Sequence, residues 1–258
     1  MERLQRIQHL SLLVVTSFTF FLAAASPAAG QIVNTLSGFD PDERGFGGSV
    51  SLGIDAEGGN TDVFEANVES SVRHVTDAQT LRAMLGYDFE RADGDDQSDD
   101  TFVHLRHNYR LVDRTHSLAF VQWQRNPFQR LETRVLVGAG ARLDLLRADA
   151  GHLTFGAAHM GEFETVEDEE ATTAQRLSAY LDASWSFGNG VEIAANTFYQ
   201  PRWSDFGDAR AIASVGLESS LGRGFALAIT GKLTYDADPP DDVETTDWKT
   251  STGLNYRF

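Results

Sequence analysis

The sequence predicts an all-β fold, a transmembrane antiparallel up-and-down β-barrel of about twelve strands, and three observations carry that prediction. Apolar and polar residues alternate with a period of two from Phe46 to the final Phe258. One of the two faces so defined is almost free of formal charge. Beyond the N-terminal segment, no apolar run approaches the ~20 residues that a membrane helix requires. A chain with one lipid-compatible face and no helical span can enter a bilayer only as strands closed on themselves, because every backbone N–H and C=O must then find a partner within the sheet.

The first residues read as an export signal rather than as part of the fold. Arg3 and Arg6 form a basic start, Leu10 to Ala25 is an uncharged apolar run, and small residues continue to Gly30. Cleavage after Ala25 or Ala28 fits the small-x-small rule, so 1–28 is expected to be a signal peptide and 29–45 a short N-terminal periplasmic segment ahead of a barrel over 46–258. The absence of cysteine excludes a cysteine-linked lipid anchor and any disulfide. The formal net charge of −17 argues against nucleic acid as a partner, since phosphates are met by Lys and Arg.

Strands are expected near 46–56, 62–75, 79–91, 101–112, 116–125, 130–146, 152–164, 173–187, 190–200, 210–221, 224–235 and 246–258, separated by clusters of Gly, Asp, Asn and Pro. Nearly all reach the 9–11 residues that a tilted strand needs to cross a bilayer. The connections alternate. Thr76-Asp77-Ala78, Asp113-Arg114-Thr115, Asp149-Ala150-Gly151, Gly188-Asn189-Gly190 and Gly222-Arg223-Gly224 read as tight turns, whereas Asp93 to Asp100, Val166 to Ala171, Pro201 to Asp208 and Asp236 to Thr245 read as longer, acidic loops. Short turns on one side and longer loops on the other place both chain ends at the periplasmic face.

The lipid-facing register runs through residues such as Leu52, Leu85, Leu105, Val137, Leu181, Leu227 and Leu254, with His107 and His159 as its polar exceptions. The fifth strand is ambiguous, because Leu118 and Phe120 compete with Val121 and Trp123 for that face. Aromatic residues gather at both ends, Tyr87, Phe89, Phe163, Tyr199, Tyr235 and Trp248 toward the loops and Tyr109, Trp185, Phe187, Phe225, Tyr256 and Phe258 toward the turns, as expected of two interfacial girdles. The opposite face carries Asp55, Glu65, Glu69, Asp88, Glu90, Glu132, Asp144, Glu162, Asp182, Glu192 and Glu218 against Arg73, Arg82, Arg106, Arg110, Arg134, Arg142, Arg176, Lys232, Lys249 and Arg257. Of these, Arg82, Arg106, Arg110, Glu132, Arg134, Arg142, Asp144, Arg176, Asp182, Glu192, Glu218, Lys232, Lys249 and Arg257 are expected to line the lumen. Near-balance of sign predicts ion pairs and a narrow or occluded interior rather than a single-sign filter.

No nucleophile elbow, zincin histidine pair or phosphate loop is present, so no motif supports an enzyme. His107 and His159 are the only candidates for lipid-facing catalysis, and an isolated His on a barrel wall is ordinarily just a neutral side chain. Asp93, Asp95, Asp96, Asp99 and Asp100 supply the hard oxygens that calcium prefers, without the spaced glycine and terminal glutamate of a helix-loop-helix site. A solvated acidic loop is the simpler reading of that run. Tyr256 and Phe258 end the chain with aromatics on one strand face, the pattern expected of an assembly signal.

Several segments together resemble a known family. Gly59-Asn60-Thr61-Asp62, Gly138-Ala139-Gly140, Tyr235-Asp236-Ala237-Asp238-Pro239-Pro240, Thr246-Asp247 and the terminal Tyr256-Arg257-Phe258 occur in the order and spacing of the domain of unknown function 481 family, whose members are often named salt-induced outer membrane proteins. The resemblance covers about Phe46 to Phe258 and implies an outer-membrane location and barrel fold, without implying a mechanism. The leading expectation is therefore a non-enzymatic outer-membrane barrel, either a narrow small-solute channel or an envelope component with a plugged lumen. Behind it stand a surface protein whose acidic loops bind divalent cations or a partner, and a lipid-modifying enzyme. The partners expected are outer-membrane lipid, lipopolysaccharide and the barrel-assembly machinery; no cofactor is expected and the solute is left open.

Overall fold

The computed structural model describes residues 44–57, 63–92, 95–127, 130–239 and 245–258. The signal segment and the Gly59 to Asp62 motif lie outside them. Twelve strands follow one another as β1 Gly45–Glu57, β2 Val63–Val75, β3 Gln79–Ala92, β4 Asp95–Val112, β5 Thr115–Asn126, β6 Leu131–Ala148, β7 Gly151–Val166, β8 Thr172–Ser186, β9 Val191–Arg202, β10 Asp205–Gly222, β11 Phe225–Asp236 and β12 Thr246–Arg257. Each pairs antiparallel with its sequence neighbours, and β1 pairs with β12 to close the barrel. Closure is brief. The β1–β12 ladder runs only from Ser49↔Arg257 to Leu52↔Leu254, capped by reciprocal backbone bonds between Gly48 and Phe258 at 2.9 and 3.0 Å.

The faces are inverted relative to a soluble protein. Leu52, Leu85, Val137, Leu181 and Leu227 are exposed, while Arg82, Arg134, Arg142, Arg176 and Asp182 are buried. Alternation alone fits a sandwich or a barrel, but exposed aliphatics around buried arginines fit only a barrel whose outer solvent is hydrocarbon. The aromatic rings follow suit: Tyr87, Phe163, Tyr199, Tyr235 and Trp248 are exposed toward the loop end, and Tyr109, Trp185, Phe187, Phe225 and Tyr256 toward the turn end.

Turn chemistry is clearest at Gly222-Arg223-Gly224, where φ values of 90°, 56° and 84° fold the chain from β10 to β11. Two flanking glycines make that left-handed run accessible. Two expected loops are corrected. The acidic run from Asp93 to Asp100 is largely strand, since β4 begins at Asp95 and pairs Ala92↔Asp95 and Arg91↔Asp96 with β3. Likewise Pro201 to Asp208 shrinks to a connection at Trp203-Ser204, with β9 reaching Arg202 and β10 starting at Asp205. The 18-residue strands β4 and β10 are longer than the 9–11 residues that a crossing needs, so part of each lies beyond one crossing, where side-chain alternation is no longer required. The contrast between short turns and long loops is correspondingly weaker than the sequence suggests.

Candidate functional site

The interior is divided between a packed half and an open half. On β5 the register is settled by packing: Leu118 is buried and Phe120 packs inward, whereas Val121 and Trp123 are exposed outward. Leu118 joins Ala158, Tyr180, Phe198 and Ile212 in an apolar cluster inside the barrel. Three lumen-facing glycines make room for this and for Phe102. Gly138 lies opposite Phe120, Gly156 opposite Tyr180 and Gly86 opposite Phe102. A Cβ at any of the three would come within 2.3 Å of the facing ring. The rings therefore lie flat on bare backbone, the cross-strand pairing that shields glycine in a sheet. Arg106 is held between two of them, its Cζ 5.9 Å from the Phe120 centroid and 5.2 Å from that of Tyr180. His104 stacks on Phe120 at 5.6 Å and bonds Gln122 at 2.9 Å.

Toward the loop end, the packed half is cross-linked by charge. Arg176, almost fully buried, reaches Glu162 at 3.2 Å and Asp208 at 3.0 Å and donates to the Gln200 carbonyl at 3.2 Å. Arg210 meets Glu162 at 2.7 Å and Asp236 at 2.9 Å, Arg202 meets Asp208 at 2.8 Å, and Arg134 pairs with Glu164. With each guanidinium answered by carboxylates, this network satisfies the condition under which buried ion pairs are tolerated, and it ties β6 through β11 together.

Toward the turn end, positive charge gathers on β2, β3, β4 and β6. The register sets Arg73 opposite Arg82 and Arg82 opposite Arg106. Arg142 meets Asp144 at 2.8 Å. Across β7 and β8, Asp182 bonds His152 Nε2 at 2.8 Å and Ser184 Oγ lies 3.0 Å from His152 Nδ1. This Ser-His-Asp row has the members of a nucleophilic triad, but the carboxylate is on Nε2 and the serine on Nδ1, the reverse of the usual assignment.

The open half is a polar cavity of about 370 Å³ against β9 to β12 and β1 to β5. Its walls are mostly small or polar: Ser49, Ser51, Asn67, Ala194, Gly216, Ala228, Thr230, Ser251 and Gly253. Glu192, Glu218 and Arg257 border its turn-side end, with Arg257 at 2.8 Å from Glu218, and Asp88, Asp100, Lys232 and Lys249 border its loop-side end. Lys249 pairs with Glu65 across that upper part.

Of the sequence-expected lumen residues, Arg82, Arg106, Arg134, Arg142, Asp144, Arg176 and Asp182 are buried inside, while Glu192, Glu218, Lys232, Lys249 and Arg257 line the cavity. Arg110 is exposed at the turn-side end of β4. Glu132 departs from expectation: a register shift between Leu131 and Thr133 leaves it exposed at a bulge, because the extra residue breaks the alternation from which its inward direction was read. Among the acidic candidates for calcium, Asp93 lies outside the described residues and Asp99 lies 3.8 Å from Arg125. Asp95, Asp96 and Asp100 lie on β4 with Asp99, not on a loop that could wrap an ion. No cluster of metal-ligating side chains occurs among the described residues. His107 bonds Gln79 at 3.1 Å and His159 stacks near Trp203 at 6.2 Å, and neither has a serine partner among the bonds formed. Sequence reasoning missed Asp208, Arg210 and Asp236, which it placed at strand ends or in loops, and His152, whose role depends on β8.

The structure is similar to a NanC porin, with a TM-score of 0.51 at 9% identity, covering 82% of this chain and 98% of that one. It is also similar to a KdgM porin, with a TM-score of 0.48 at 11% identity over 83% and 99% of the two chains. The translocator domain of the autotransporter NalP from Neisseria meningitidis gives 0.48 at 13% identity over 84% and 90%. No curated protein matches the sequence. At such identities the likeness is one of fold, and it is the transmembrane antiparallel barrel of outer-membrane porins. The sequence itself matches a family model over residues 50–258, so this chain belongs to the family described as protein of unknown function, DUF481.

Proposed function

We propose that this chain resides in the outer membrane and works there as a narrow, off-axis channel for small solutes, with no catalytic chemistry of its own. The observation that carries the reading is the cavity of about 370 Å³ bordered by residues from both ends of the barrel. The packed half, with its flat aromatics and charge network, narrows the barrel and holds its shape. The outer face meets lipid and, at the loop end, lipopolysaccharide, and insertion proceeds through the barrel-assembly machinery.

Conductance of refolded protein in planar bilayers tests this. Wild-type protein is expected to give small, stable steps, and Thr230→Arg, which places a long cation in the lane, is expected to reduce them severalfold while leaving heat-modifiable folding intact. Absence of steps above the lipid background in folded, inserted wild-type protein refutes the channel.

A further inference from the structure

We propose that the barrel also opens sideways: the loop-side half of the seam between β1 and β12 is a slit into the bilayer, through which a single-chain amphiphile places its polar head in the cavity. The inference rests on the cavity being an open interior, as the channel reading has it, and adds a second entrance.

The seam is the first argument. β1 runs to Glu57 and β12 starts at Thr246, yet the ladder between them ends at Leu52↔Leu254. Beyond that point each strand keeps its other neighbour, β1 from Gly53↔Asn67 to Glu57↔Val63 and β12 from Ala228↔Gly253 to Tyr235↔Thr246. Among the described residues the two strands therefore part while both stay in the sheet. The next pair would set Gly53 against Gly253, and opposed glycines offer no side-chain contact to hold a ladder. The missing neighbour shows at Ile54, which is 72% exposed against 43% for Leu181 and 44% for Leu227 on strands flanked on both sides.

Depth is the second. Trp248 and Tyr235 belong to the loop-end girdle, and Thr250 and Thr252 stand between Trp248 and Leu254 on the same exposed face of β12. The ladder thus ends inside the hydrocarbon band. Backbone groups without partners are costly there and need water or another polar group to meet them. The cavity brings one in, for Ser51 and Leu52 of β1 and Ser251, Thr252 and Gly253 of β12 all border it. Inside, Lys249 of β12 reaches past β1 to Glu65 of β2 and ties the two lips together.

The ligand follows from what each side accepts. A solute lying between a polar cavity and hydrocarbon must be amphipathic. About 370 Å³ is at the small end of ligand pockets, which run about 300–1,000 Å³, so the cavity takes a small head and leaves the chain in the membrane. Asp88, Asp100, Lys232 and Lys249 at its loop-side end carry both signs, which suits a zwitterionic head.

The test uses refolded full-length protein in vesicles. The chain has no cysteine, so introduced pairs report alone. Leu52→Cys/Leu254→Cys, at the last paired position, is expected to oxidise to a disulfide, since opposed ladder residues lie about 4.5–5.5 Å apart at Cα, within disulfide range. Ile54→Cys/Thr252→Cys, the next position on the same face, is expected to stay reduced. A lysophosphatidylcholine carrying a photoreactive azide on its head is expected to label Ser51 and Ser251 in the lumen, read by mass spectrometry, whereas a two-chain phosphatidylcholine with the same head is not. Bridging the two thiols of Ile54→Cys/Thr252→Cys with a short bifunctional maleimide after folding should lower that labelling severalfold. Equal disulfide yields at the two positions, lumen labelling that is absent or unchanged by bridging, or Thr252→Cys cross-links between two copies of the chain would overturn the slit. Lumen labelling without conductance would remove the axial channel and keep the slit, and conductance without lumen labelling would do the reverse.

Discussion

Substituting Gly156 by alanine adds one methyl group beneath the ring of Tyr180, and the structure fixes what that methyl must displace. A Cβ at Gly156 would stand 2.1 Å from Cε1 and 2.2 Å from Cζ of Tyr180. Unstrained carbon pairs sit about 3.5–4.0 Å apart, so ring and backbone must separate by about 1.4 Å or more. The ring has little room to retreat, because Tyr180 is buried, the Phe198 centroid is 5.4 Å away and Arg106 Cζ lies 5.2 Å above it. Overpacking of this kind costs about 1–3 kcal/mol. The matched control is Gly231→Ala on β11, where an added Cβ meets nothing within 4 Å. There the loss of glycine's chain freedom should stabilise the strand by about 0.5–1 kcal/mol. Urea titration of protein folded in lipid vesicles, followed by tryptophan fluorescence, measures both. The double variant Gly156→Ala/Tyr180→Leu should recover much of the loss, since the shorter side chain no longer covers the glycine. Equal stability of Gly156→Ala and Gly231→Ala, or strict additivity in the double variant, would refute the account of glycine as a seat for the ring.

Four further outcomes are expected. Leu181→Arg, on the exposed outer face of β8, should lose about 2–4 kcal/mol of folding free energy in vesicles, while Ala228→Arg, facing the cavity, should fold nearly normally; comparable folding yields for the two would reverse the assignment of faces. Arg210→Met leaves Glu162 and Asp236 short of a buried cation and should cost about 3–5 kcal/mol by urea midpoint. Lys249→Met, at a solvent-accessible pair, should cost about 1 kcal/mol or less by the same measure. Deleting Phe258 removes both backbone bonds that it exchanges with Gly48 at the short β1–β12 seam, together with the aromatic expected to signal assembly, so heat-modifiable protein in the outer-membrane fraction should fall sharply; unchanged amounts would dismiss that role.

The barrel was legible in the sequence because a strand between two solvents writes both into its alternation. Leu181 and Asp182 are neighbours on β8, yet one is exposed to the bilayer and the other buried in the lumen, and period-two reading assigned both. The same logic placed Arg82, Arg106, Arg142 and Arg176 inside, and it failed where its premise fails. At Glu132 a bulge shifts the register by one residue, and at Asp95 to Asp100 the ladder with β3 runs on through residues whose acidic run reads as a loop. Which inward residues touch is a different question, settled by closure, shear and packing across many strands. Glu162 on β7 reaches Arg210 on β10, 48 residues away, and Phe120 turns inward because Gly138 on the next strand leaves it room. Sequence alternation therefore determined the two faces of this protein. The division of its interior into a packed half and an open lane was decided only by the three-dimensional arrangement, because it depends on distances between side chains that no local pattern encodes.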